Sequence, residues 1–357
     1  MNSIAYVDHE GILNVLGGAG DSPRRINAPG TYCTWPNLSP DGGTIAFSGY
    51  QSANASDNEL GMYLADLDGD DVRLAYANDF ETGEIAPSTP HYSLWSPDGS
   101  KLAFVAQTSD GALTLFLHDA DSEASPRRIL SGGPLYCAWA PDSDRIFVHS
   151  FQEHYLIDLE DEFEMRQFPG SSTLYMAPAW NAVDGRAAIF LDAENNRQRL
   201  VVLGLREPAI KVVTEVPGIG ACCWQPGGSA LALARDMRGR SGFYDGLWML
   251  EPNEGTENKI NDDPTLAFFW SPDGSKIALS SDRDGTYGIY ELALASRAVT
   301  RLTDGEGNEY GPAYGPDGRS VAYLTDGEGA GLWVIRAVGD REQIVDLGGA
   351  QGFGASW

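Results

Sequence analysis

The feature that most constrains this chain is a short turn that keeps returning. The stretch Trp270-Ser271-Pro272-Asp273-Gly274-Ser275-Lys276-Ile277-Ala278-Leu279 has counterparts anchored at Leu38, Trp95, Trp139, Trp180, Trp224 and Tyr314, and the chain stops on an eighth anchor, Trp357. Proline presets φ at the second position of a tight turn, aspartate caps it and glycine takes a left-handed corner, so the unit joins two antiparallel strands. After the turn, Ile277 and Leu279 alternate with smaller residues, the period-2 pattern of a strand, and Asp282-Arg283-Asp284-Gly285 turns the chain again. The anchors are spaced by 57, 44, 41, 44, 46, 44 and 43 residues, the length of a four-stranded propeller blade. The expected fold is therefore all-β: a β-propeller of eight four-stranded blades forming a single domain over 1–357. Residues 1–30 supply only the later strands of a blade and residues 351–357 only a first strand. The closing blade is thus expected to come from both termini, which leaves no unpaired sheet edge.

The segments Trp-Ser-Pro-Asp-Gly-Ser-Lys-Ile-Ala, Ser281-Asp282-Arg283-Asp284-Gly285, Arg301-Leu302-Thr303-Asp304 and Glu309-Tyr310-Gly311-Pro312-Ala313-Tyr314 resemble the repeat of TolB-type β-propellers. That repeat is similar to the one in the propellers of the prolyl oligopeptidase family. The resemblance runs over the whole chain and implies a fold rather than a chemistry, since the motif residues build hairpins. The extra amino-terminal domain of TolB has no counterpart here, and neither does the Gly-x-Ser-x-Gly elbow of the peptidases.

Charge narrows the partners. Against 24 basic residues, only four of them lysine, stand 51 acidic ones, a formal charge of −27. Such a surface repels phosphate backbones and anionic lipid, so neither nucleic acid nor a membrane is an expected partner. Met1 to Val15 lacks the basic and apolar segments of a secretion signal, and no stretch has the apolar length of a membrane span. A cytoplasmic monomer is expected. Four cysteines are too few for a disulfide scaffold.

In a propeller the first strand of each blade lies innermost. The loops leading into it share one face, here the upper face, with the loops joining the second and third strands. Irregularity concentrates there: extra residues in Gln51 to Glu59 and Asn78 to Pro90, an Arg235-to-Arg240 loop holding Arg238 and Arg240, and four of the five histidines, including His149 and His154 beside a short loop. The first strands carry aromatic residues near their start: Tyr32, Trp35, Tyr92 beside His91, Tyr136, Tyr175, Phe268, Tyr310 beside Glu309, and Phe353. Side chains alternate along a strand, so half of these pack between blades and the rest can line a pocket. With an acidic rim, that pocket suits a cationic or hydroxylated small molecule. The expected function is a TolB-like propeller that binds a small molecule or a protein at the upper mouth of its channel, with Arg238 and Arg240 as a further anion grip. A propeller enzyme, whether lyase, hydrolase or isomerase, is the alternative, using His91, Glu309 and Tyr310 for acid/base chemistry. No cofactor is expected and no metal ligand set is assigned. A channel-bound metal ion stays open, although the propeller lyases of similar architecture that hold one do so with several inner-strand histidines and this chain has only His91 there.

Overall fold

The computed structural model describes all residues except 1–2, 9, 18–20, 27–31, 51–59, 70, 78–91, 109–111, 134, 161–162, 174–176, 205–209, 219, 236–241, 305–306, 327–329, 338–339, 347–354 and 357. It is all-β, with eight four-stranded antiparallel sheets that are the blades of a β-propeller, and among the described residues the only helical element is a single 3₁₀ turn at Glu194–Asn196. The chain divides into two compact units, residues 1–167 with 351–357, and residues 168–350.

The first unit holds four blades. Blade 1 has β1 Ile4–Val7, β2 Leu13–Leu16, β3 Arg24–Arg25 and, from the other end of the chain, β32 Ala355–Ser356, which pairs with β1 through Ala5↔Ser356 and Tyr6↔Ala355. Blade 2 is β4 Tyr32–Leu38, β5 Thr44–Tyr50, β6 Leu60–Asp66 and β7 Val72–Ala77. Blade 3 is β8 Tyr92–Trp95, β9 Lys101–Gln107, β10 Leu113–Asp119 and β11 Arg127–Gly132. Blade 4 is β12 Leu135–Trp139, β13 Arg145–Ser150, β14 Glu153–Asp158 and β15 Met165–Phe168.

In the second unit, blade 5 is β16 Ala179–Trp180, β17 Ala187–Ala193, β18 Arg197–Leu203 and β19 Ile210–Pro217. Blade 6 is β20 Ala221–Trp224, β21 Leu231–Ala234, β22 Leu247–Glu251 and β23 Thr256–Asn261. Blade 7 is β24 Ala267–Trp270, β25 Lys276–Ser281, β26 Gly288–Ala293 and β27 Val299–Arg301. Blade 8 is β28 Glu309–Tyr314, β29 Val321–Thr325, β30 Gly331–Ala337 and β31 Asp340–Asp346.

The repeated turn is closed by its own side chains. Ser271 donates its hydroxyl to Asp273 Oδ1 at 2.6 Å and accepts the Lys276 amide at 3.0 Å, while Asp273 Oδ1 also accepts the Ser275 amide at 3.0 Å. Gly274 takes φ +68 as the corner requires. The Ser271 hydroxyl, followed by the Ser275 donors, holds the Asp273 carboxyl down at about 2. Ser96 and Asp98 repeat the arrangement in blade 3.

The anchor tryptophans tie neighbouring blades together. Four indole N–H groups cross to the carbonyl just before the anchor of the preceding blade: Trp95 to Asn37 and Trp139 to Leu94 at 3.0 Å, Trp224 to Ala179 at 3.0 Å, and Trp270 to Cys223 at 3.2 Å. Tyr314, the anchor of blade 8, instead donates its hydroxyl to Glu291 at 2.9 Å. The cores lie between blades, not within them. Leu38, Ile45 and Phe47 pack with Val7, Leu13 and Val15, and Trp270, Ile277 and Leu279 pack with Ala232, Ala234 and Leu247. Side chains on the two faces of one sheet therefore serve two different interfaces.

Candidate functional site

On three consecutive first strands of the first unit, the exposed side chains are aromatic. Trp35 is 48% exposed and Tyr92 49%, with Tyr32 at 44% and Tyr136 at 37%. Strand alternation produces this. On β12 the order Leu135 to Trp139 runs buried, exposed, buried, half-buried, buried, so the buried anchor Trp139 puts Cys137 inside and Tyr136 outside. On β8, Trp95 and Ser93 go inside and Tyr92 outside.

Strand β4 reaches the same result by a different route. Thr34 pairs with Ser48 but Asn37 pairs with Ala46, so one extra residue is accommodated around Trp35-Pro36. This is a β-bulge, and beyond it the parity of the strand reverses, burying Cys33 and turning Tyr32 outward. Trp35 sits at φ +54, a conformation unusual for a bulky side chain. Blade 8 has a bulge at the equivalent place, between Tyr310 and Ala313, where Gly311 at φ +64 precedes Pro312. Glycine fills that corner without strain, whereas blade 2 places its largest exposed ring there.

The rings of Trp35 and Tyr92 stand at 89° with centroids 6.4 Å apart, so their faces form a corner. The first strands beneath are joined by Asn37 Nδ2 donating to the Ser93 carbonyl at 2.7 Å and by the Trp95 indole bond. Tyr32 lies against Gly11, where a Cβ would come within 2.7 Å of its ring. Partial burial raises the pKa of the Tyr92 hydroxyl, keeping it a neutral donor.

Other sequence-selected residues are placed differently. Phe268 is buried in the core between blades 6 and 7, and its neighbour Phe269 is the exposed ring of β24. Glu309 is fully buried: Thr303 donates a short hydrogen bond to it, and Arg301 and Arg341 stand 4.0 and 3.8 Å from its oxygens. Burial raises its pKa despite those partners. Tyr310 is half-buried, and burial raises its pKa also. His149 and His154, placed beside a loop by the sequence, are buried on paired strands with rings stacked at 4.4 Å. The strands run on to Ser150 and Glu153, leaving only Phe151 and Gln152 for the turn. His91, Tyr175, Phe353, Arg238 and Arg240 lie outside the described residues.

Among the described residues no three of His, Cys, Asp and Glu gather to hold a metal. The cysteines are free thiols, and burial pushes those of Cys33 and Cys137 up to about 12, far from thiolate reactivity. In the second unit a cavity of about 380 Å³ opens between Phe243, Tyr244, Asp245, Asp263, Asp282 and Arg283. Its one arginine is already engaged, with Arg283 2.7 Å from Asp263. No helix among the described residues is long and apolar enough to cross a membrane.

The sequence matches no family model, and no curated protein matches it. Solved structures share the fold at low identity. Oligogalacturonate lyase in complex with manganese is 16% identical with a TM-score of 0.56, over 96% of this chain and 83% of that one. The β-propeller domain of the Trilobed protease from Pyrococcus furiosus is 14% identical with a TM-score of 0.56, over 89% and 99%. TolB from Acinetobacter baumannii is 16% identical with a TM-score of 0.43, over 72% of this chain and 62% of that one, so the chain spans less than two thirds of that relative. The chain has the β-propeller fold that these lyase and protease structures share.

Proposed function

We propose that this chain is a binding propeller, taking a ligand against the aromatic face of β4, β8 and β12 and carrying out no chemistry there. The observation behind this reading is Trp35. A half-exposed indole is held in a left-handed backbone corner that the equivalent bulge of blade 8 fills with glycine. Residues held in costly backbone regions cluster at functional sites, and Trp35 differs from Phe151, which has the same φ in the β13–β14 turn, by lying within a first strand beside other exposed rings. Tyr32, Tyr92 and Tyr136 extend the surface around it. Catalysis at Glu309 has less support, because its carboxyl is sealed in blade packing and held by Thr303.

The test is a ligand-observed NMR screen against a panel of amines, sugars and short peptides, repeated with Trp35→Gly. The expected result is a ligand lost in the variant while its melting temperature stays the same or rises, since glycine relieves a left-handed cost of about 1 kcal/mol. A ligand that binds the variant as well as the wild type would place the site elsewhere.

A further inference from the structure

Resting on that reading, we infer that the ligand presents a quaternary ammonium head to the corner formed by Trp35 and Tyr92. Two aromatic faces at right angles, with centroids 6.4 Å apart and both rings half exposed, let one cation lie against both quadrupoles at once. A cation within about 6 Å of a ring centroid is attracted to the face, most strongly for tryptophan.

Charge favours a cation over a neutral group of the same shape. Residues 1–167 contain 26 acidic and 8 basic side chains, and none of the basic ones falls on β4, β8 or β12. The net negative charge of this stretch favours cations over anions near its surface, and no charge on those strands opposes one.

The chemistry of the strands then separates one kind of cation from another. The three strands contain no carboxylate. Asn37 is used between blades and Ser93 is buried. A primary ammonium brings three N–H donors that lose their water on docking, and these strands offer no charged acceptor in return. A quaternary ammonium has no donor to satisfy and spreads its charge over methyl groups that pack on rings.

Three small probes compared at constant ionic strength test the assignment: choline, its uncharged isostere 3,3-dimethylbutan-1-ol, and ethanolamine. Saturable choline binding is expected by NMR titration, with both other probes at least tenfold weaker. Trp35→Gly and Tyr92→Ala should each weaken choline tenfold or more, whereas Tyr92→Phe, which keeps the ring, should stay within about twofold. Both side chains are half exposed, and melting curves verify that the variants are folded. Equal binding of the neutral alcohol, equal binding of ethanolamine, or choline binding that survives Trp35→Gly would each overturn the ammonium assignment. A different class of ligand held at Trp35 with no choline binding would also overturn it, while leaving the binding face standing. If neither these probes nor the wider panel binds, both readings fall.

Discussion

The indole of Trp139 shows how one residue type carries the repeat. Its ring is almost fully buried, and its N–H reaches the Leu94 carbonyl 3.0 Å away in the preceding blade. Trp139→Phe would keep most of the apolar burial and leave that carbonyl without its donor. Loss of one such bond costs about 1–2 kcal/mol, so a modest drop in denaturant midpoint with an unchanged m-value is expected on chemical unfolding. A midpoint equal to the wild type would mean the bond contributes nothing. The sequence displays the tryptophans at a near-regular spacing, but periodicity cannot reveal a hydrogen bond to another blade. Side-chain direction was legible where the parity of a strand could be counted back from its buried anchor. That count puts Tyr92 and Tyr136 outside, and it would have chosen Phe269 over Phe268. It fails at Tyr32, because the extra residue near Trp35 reverses the parity and nothing in the amino acids announces a bulge except the Trp-Pro pair.

The hairpin of β13 and β14 is the element where pH should act. His149 and His154 are cross-strand partners, buried and stacked, with Phe147 5.9 Å from the His154 ring. Burial, followed by the neighbouring His149, lowers the pKa of His154 to about 3 from its ordinary value near 6.5. The unfolded chain therefore binds a proton below pH 6.5 that the folded hairpin refuses. This contribution to stability is intact above pH 6.5 and is lost progressively as the pH falls toward 3, at up to about 1.4 kcal/mol per pH unit. Between pH 7 and 5 most carboxylates stay ionised, and the buried histidines set a downward slope that Glu309, whose pKa burial raises, offsets in part. The melting temperature of the wild type should fall across that window. His154→Phe, which keeps an aromatic ring in the stack, should flatten the fall in part, since burial also lowers His118. An unchanged slope in the variant would remove His154 from this role. The two histidines sit near a turn in the sequence and so read as loop residues, but their strands pair to within two residues of the tip, and pairing decides burial.

At the scale of the whole molecule, the period of the anchors and the polarity of the chain were both legible, because each is a property of the sequence summed over many residues. Blade number follows from counting the eight anchors, seven of which lead into a tight turn, and the structure has eight four-stranded sheets. The exposed aromatic face was less legible, since it depends on which side of a strand a few rings emerge. The charge supports a last prediction. Ion pairs such as Arg24 with Asp68, 2.7 Å apart and exposed, are worth about 0–1 kcal/mol each and weaken with added salt. Opposing them is the mutual repulsion of an excess of 27 negative charges, which salt also screens. The Debye length shortens from about 30 Å at 0.01 M to about 10 Å at 0.1 M, so the long-range repulsion across the surface is suppressed more than the contacts at 3 Å. Repulsion should therefore be the larger loss. Raising sodium chloride from 0.01 to 0.15 M at pH 7.5 should increase the melting temperature by about 2 °C or more, and sodium sulfate at equal ionic strength should do at least as well. A steady fall over the same range would show that the attractive pairs outweigh the net charge.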